Sequence, residues 1–117
     1  MFLSIHLNAS DYRDHYTAVM VHKRKGRKAD TEFARLCAGK ISLALDHKLC
    51  RASDIPGVYP ASLGALSGAI DSGCPVAVLT EAFFVDAYGS NAVVEGKCIL
   101  AAKAIADSVM VWFTDRA

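Results

Sequence analysis

A chain of 117 residues, 53% hydrophobic and 21% charged, can bury one core but not two, and it is too apolar to stay disordered. A formal net charge of +1 gives no reason to expect a nucleic-acid partner. The cysteines, at 37, 50, 74 and 98, lack C-x-x-C spacing; a disulfide framework is not expected, and Cys37 and Cys98 fall on apolar helical stripes as small hydrophobes.

No run is long enough for a membrane span, and the N-terminus has neither the basic nor the sustained apolar region of a signal peptide. Phe2–Leu7 reads as a strand with apolar groups on both faces, as in the middle of a covered sheet. It carries His6 where the apolar run gives way to Asn8. Thr17–His22 (TAVMVH) reads as a second strand. The connection from Asn8 to Tyr16 is too short for a parallel crossover, so the two strands are expected to be antiparallel if they pair. The basic cluster His22–Lys28 (HKRKGRK) reads as a solvated loop, with attraction to an anionic polymer as the other reading.

Asp30 is a good N-cap for a helix running to about Lys48. Phe33, Leu36, Cys37, Ile41, Ala44, Leu45 and Leu49 follow helical spacing, with Glu32, Arg35, Lys40 and Asp46 toward water. Residues 50–73 hold most of the glycine and proline and read as irregular, with a short strand near Leu63–Leu66. Pro75–Thr80 (PVAVLT) is a buried strand. Ser90 or Asn91 caps a last helix to about Phe113, with Val94, Cys98, Ala101, Ala102, Ile105, Val109 and Trp112 as its stripe. The order β-β-α-(β)-β-α predicts a single α/β domain over 1–117, a mixed β-sheet with packed helices.

Two polar groups each end a buried strand: His6 follows Phe2–Ile5, and Glu81 follows Pro75–Thr80. Sites in open α/β sheets collect at the carboxyl ends of strands. If the two strands run parallel, His6 and Glu81 share one rim, where a metal ligand beside a general base is a workable pair. A strand-end histidine is also an ordinary structural residue, and position alone does not separate the two.

The segment Ser4-Ile5-His6-Leu7-Asn8-Ala9 resembles the S-I-H-x-N-A motif of the zinc-dependent N-acetylmuramoyl-L-alanine amidases, the bacterial cell-wall and phage lytic amidases. Cys74–Glu81 (CPVAVLTE) is similar to that family's P-A-V-L-V-E strand. The resemblance covers nearly the whole chain. It implies that His6 is a zinc ligand and Glu81 the catalytic carboxylate. It also implies a Zn2+ cofactor and a peptidoglycan or muropeptide substrate, hydrolysed at the amide between the lactyl group of N-acetylmuramic acid and L-alanine. In that chemistry zinc lowers the pKa of a bound water, and the glutamate moves its proton to the leaving amine. With no signal peptide, the analogy with phage lysins implies cytoplasmic synthesis and later release to the wall. Asn8, just past the ligand, reads as fixing the loop by bonding nearby backbone or, equally, as a plain turn residue.

The sequence departs from the family in two places. The family's N-terminal strand with its G-H-G motif, and the glutamate ligand after it, have no counterpart, whereas a catalytic zinc needs about three protein ligands. His15, at the entry to the second strand, is the in-chain candidate to substitute. His22 is expected at the opposite sheet edge, and His47 at a helix end, where a cation suits the dipole without a metal. After the glutamate, Phe83 stands where the family carries glycine, so a backbone needing glycine's freedom is strained there and Glu81 displaced. Three readings follow: part of a longer amidase, a half completed by a partner chain or second copy across an exposed sheet edge, or a non-catalytic module that binds cell wall or regulates an amidase.

Overall fold

The computed structural model describes residues 1–9 and 15–116. The strands are β1 (Phe2–Asn8), β2 (Ala18–His22), β3 (Val58–Ala61) and β4 (Ala77–Phe84), and the helices are α1 (Lys28–Leu45), α2 (Gly64–Asp71) and α3 (Asn91–Asp115). One mixed sheet runs in the order β1-β4-β2-β3, which agrees with the α/β expectation. β1 and β4 are parallel, β2 and β3 are parallel, and β2 and β4 are antiparallel. β1 and β2 thus run in opposite directions, as expected, but β4 lies between them and they do not pair. Most of their connection lies outside the described residues.

Alternation along the strands sorts side chains onto two faces. Val19, Val21, Val58 and Val78 meet Phe33, Cys37 and Ile41 of α1 and Ala101, Ile105 and Trp112 of α3 in the larger core. Phe33 and Trp112 meet edge to face at 5.5 Å, a geometry that adds to their area burial. Among the described residues, α2 is the element that covers the opposite face. Its Leu66 and Ala69 pack on Ala77 and Leu79, and at eight residues it is too short to reach the far ends of β1 and β4.

Two elements differ from expectation for local reasons. The third strand is Val58–Ala61 and not Leu63–Leu66; the latter residues instead begin α2, where Leu66 and Ala69 bury one face and Leu63 is the N-cap. Pro60 lies inside this strand but at the sheet edge, where a missing N–H costs no ladder bond. The first helix is capped by Arg27 and not Asp30. Asp30 lies a turn inside it, fully buried, and accepts from Arg27 N (2.8 Å), Nε and Nη2 (both 3.0 Å) and from Ala77 N (2.8 Å). Arg27 also donates to Cys74 O at 2.7 Å, so one ion pair joins the helix start to the start of β4. The Asp30 carboxylate holds the Arg27 guanidinium above its ordinary pKa.

α1 ends at Leu45 because Asp46 turns left-handed, φ 52°. Leu49, placed on the helical stripe by its spacing, instead bridges to Thr17 beside β2. Gly57 sits at φ +88°, and a Cβ there would lie 2.7 Å from the Ala38 Cβ; only glycine fits that turn. The last helix is capped by Ser90, whose side chain accepts from Val93 N. The basic loop is anchored at its centre: Lys25 bridges to Asp71 at 2.9 Å and donates to Ser67, while the His22 ring accepts from the Arg24 and Lys25 backbone. All four cysteines are free thiols. Burial pushes the Cys37 thiol up to about 11, as expected of a core residue. Among the described residues no helix is long and apolar enough to cross a membrane.

Candidate active site

β1 and β4 pair in parallel with Phe2 opposite Ala77 and His6 opposite Glu81. The two residues are therefore side by side, but not at the strand ends expected of them: β1 runs on to Asn8 and β4 to Phe84. Period-two alternation puts Ser4 and His6 on the face of Phe2, and Glu81 on the face of Leu79. That is the face covered by α2, and the cover stops one strand residue pair short of them. The fold thus presents an imidazole and a carboxylate side by side at the open end of a rigid sheet.

Ser4, two residues before His6, places its Oγ 2.8 Å from the His6 Nε2. This steadies an otherwise exposed ring. The sequence contained that signal, since two polar residues at i and i+2 of an apolar strand share a face. Glu81 is half-buried, and its Oε2 is shielded from solvent without a hydrogen-bond partner. Burial raises its carboxyl above the ordinary range, opposed by the neighbouring His6. A desolvated carboxylate with a spare lone pair beside an imidazole is suited to accepting a proton.

The expected strain at Phe83 is absent. Between His6 and Asn8 the register slips, so that Glu81–Phe84 spans one more residue than the facing segment of β1, a β-bulge. The extra residue lets both Ala82 and Phe83 turn into the larger core, where Phe83 is fully buried. Asp46 is the one non-glycine residue with positive φ among the described residues, so residue 83 needs no glycine and Glu81 keeps its place opposite His6.

The remaining histidines divide. β2 runs antiparallel to β4, with Ala18 opposite Glu81, which brings His15 to the glutamate end of the sheet and sends His22 to the other, as expected for His22. The His15 ring packs edge to face on Phe84 at 5.5 Å, and its Nδ1 is buried without a partner. His47 reaches the same end: its Nε2 meets the Tyr88 hydroxyl, and the two rings stack at 5.8 Å. Burial, with Lys97 and His15 nearby, lowers the His47 pKa. The environment favours the neutral ring over the cation expected on the helix dipole, and the ring is held by Tyr88. Tyr88 follows β4 in a segment without periodicity, and nothing in the sequence signalled it.

Among the described residues no three histidine, cysteine or carboxylate groups stand close enough to hold a metal ion. His6, Glu81 and His15 gather at one sheet end but do not, by themselves, fit a catalytic zinc with its three or so protein ligands.

No protein-family model matches the sequence, and no curated protein is similar to it. Solved structures are similar in fold. The catalytic domain of CwlV, an N-acetylmuramoyl-L-alanine amidase from Bacillus (Paenibacillus) polymyxa, superposes with a TM-score of 0.70 at 21% identity over 97% of this chain. The CwlD amidase of Clostridioides difficile, solved with the GerS lipoprotein, gives 0.68 at 18% over 97%. A Neisseria meningitidis protein assigned as an N-acetylmuramoyl-L-alanine amidase gives 0.68 at 16% over 96%. The chain spans 57%, 54% and 57% of those chains respectively. It has the α/β fold of these amidases over little more than half their length.

Proposed function

We propose that this chain provides the His6–Glu81 portion of a peptidoglycan amidase site, hydrolysing the N-acetylmuramoyl-L-alanine amide bond. The observation that carries this reading is the parallel register that sets His6 directly opposite Glu81 on the open rim of an amidase-like sheet. Glu81 is the general base: its unpartnered oxygen takes a proton from the attacking water and returns it to the departing L-alanine nitrogen. The Ser4 contact fixes the direction of the His6 ring. Zinc is the cofactor the S-I-H-x-N-A resemblance implies, with His6 as one ligand. The other ligands then come from outside the described residues.

The test is complementation. The chain is mixed with, or joined to, the part of the CwlV catalytic domain that it does not match, and release of stem peptides from peptidoglycan is followed. Activity that is restored and then lost in Glu81→Gln, with circular dichroism unchanged, supports the reading; restored activity that survives Glu81→Gln contradicts it. A second reading, a non-catalytic module that binds cell wall or pairs with an amidase, is favoured by the lack of any group of three metal-ligating side chains among the described residues. Wall binding without turnover in any complemented form would select it.

A further inference from the structure

The basic segment at residues 22–28 turns tightly between β2 and α1, at the end of the sheet away from Glu81. The turn is held from within. His22 Nδ1 accepts from the backbone N–H of Arg24 (3.2 Å) and of Lys25 (3.0 Å), and Gly26 N donates to His22 O at 2.9 Å. A Cβ on Gly26 would lie 2.5 Å from that same oxygen, so the turn closes only on glycine. An Nδ1 that accepts from two N–H groups carries no hydrogen, so the neutral ring holds its hydrogen on Nε2. The ring is 9% exposed, and its Nε2 has no partner among the described residues.

His22 borders a cavity of about 310 Å³ beside β3. Its apolar floor is Val21, Val58 and Pro60, which alternation and the Val21–Pro60 pairing put on one face of the sheet, with Ile55 beside them. The other wall is as firmly set as the turn: Ser53 Oγ donates to Val58 O at 2.7 Å and accepts from Ile55 N at 3.2 Å. Two opposite charges stand on these walls, Lys23 just after β2 and Asp54 before β3. Neither side chain has an ion-pair or hydrogen-bond partner among the described residues. β2 and β3 are parallel, and Lys23 N donates to Ala61 O at 2.9 Å. Lys23 and Asp54 thus lie at opposite ends of a four-residue strand, roughly 10 Å apart along it.

We infer that this cavity is a binding site for a short peptide of about three residues with both termini free, its carboxylate received by His22 Nε2–H and Lys23 and its ammonium by Asp54. A plain anion would meet the Asp54 carboxylate, and a plain cation would meet Lys23; a ligand with two separated charges satisfies both. A single α-amino acid carries its charges too close together to reach both ends. Thr31 lines the same cavity with its hydroxyl unpartnered among the described residues, a further group for the peptide backbone. The stem peptide freed by the proposed hydrolysis has a new ammonium terminus and falls in this class, but the inference stands on the cavity and not on that reading.

The experiment titrates the 117-residue chain with tri-L-alanine, followed by NMR chemical shifts, beside its N-acetylated and C-amidated forms. The expected result is saturable shifts at His22, Lys23, Thr31 and Asp54 with a dissociation constant on the order of millimolar, raised about threefold to fivefold by either cap and by Lys23→Gln or Asp54→Asn. Both substituted residues are exposed, so the variants keep the fold. Asp54→Asn should leave binding of the N-acetylated form unchanged, because that form has no ammonium to lose. No saturable shift up to about 20 mM peptide, or equal binding of the free and capped peptides, overturns the inference. Because turnover is not read, failure here leaves the Glu81 proposal standing, and failure of the amidase assay leaves this site standing.

Discussion

His6 and Glu81 are direct cross-strand partners in the parallel pair of β1 and β4, held on one face of the sheet by alternation and left uncovered because α2 is only eight residues long. Their proximity is a property of the backbone register and does not depend on either side chain. Glu81→Gln and His6→Ala are therefore expected to leave the fold intact. In the complemented amidase, Glu81→Gln should lower kcat by about 100- to 10,000-fold, the usual worth of a positioned general base. Ser4→Ala, which frees the His6 ring, should cost less. Equal losses from Ser4→Ala and Glu81→Gln would contradict the division of roles.

Asp30 is fully buried and accepts four hydrogen bonds. Asp30→Ala leaves the Arg27 guanidinium and the Ala77 N–H without their acceptor and loosens the joint between α1 and β4. Breaking a buried pair from one side costs about 3–5 kcal/mol; since Arg27 is partly exposed, the lower end is expected. Urea denaturation measures it, and a loss below about 1 kcal/mol would show the pair to be incidental.

Phe83 stands where the family that the sequence resembles carries glycine, and the bulge turns it into the core. Phe83→Gly should therefore destabilise the chain by about 4 kcal/mol or more, combining a lost aromatic with added backbone freedom. Thermal unfolding checks this. A stabilising Phe83→Gly would mean that the backbone does carry strain at this position.

His47 is shifted below the ordinary histidine value of 6.5, first by burial and then by Lys97 and His15. The unfolded chain therefore binds this proton more readily than the folded one. Stability from this group is complete above pH 6.5, falls as the pH drops through that value, and levels off once the folded ring has also titrated. Denaturant midpoints measured between about pH 8 and pH 5 should show that slope, and His47→Gln should flatten it. A slope unchanged in His47→Gln would assign it to other groups.

The sequence made legible what depends on short-range pattern. The apolar runs around Ile5 and Val78, the Ser90 cap and most of the two 3.6-residue stripes emerge in place, although Ala44 and Ala102 face water and Leu49 lies beyond the first helix. Sheet order was not legible. Nothing local to Phe2–Leu7 or Ala18–His22 reveals that β4, some sixty residues on, inserts between them, because pairing partners are chosen by the shared core. The Val58–Ala61 strand was masked by Pro60, which only an edge position tolerates. Asp30 looked like a cap because it is an acceptor before an apolar stripe; its buried use by Arg27 and Ala77 is a tertiary fact. For the site, the His6–Glu81 pair followed from two strand ends and a resemblance, whereas the His47–Tyr88 contact joins two irregular segments and had no sequence signal.

The most direct measurement of the central claim is zinc bound per chain, by equilibrium dialysis of the chain alone at low-micromolar zinc, with release of stem peptides from peptidoglycan assayed on the same sample. With His6 as one ligand, Glu81 as the base and no group of three metal-ligating side chains among the described residues, the expected result is well below one zinc per chain and no release. About one tightly bound zinc per chain, with turnover abolished by His6→Ala, would contradict it and show that the site is complete within these residues.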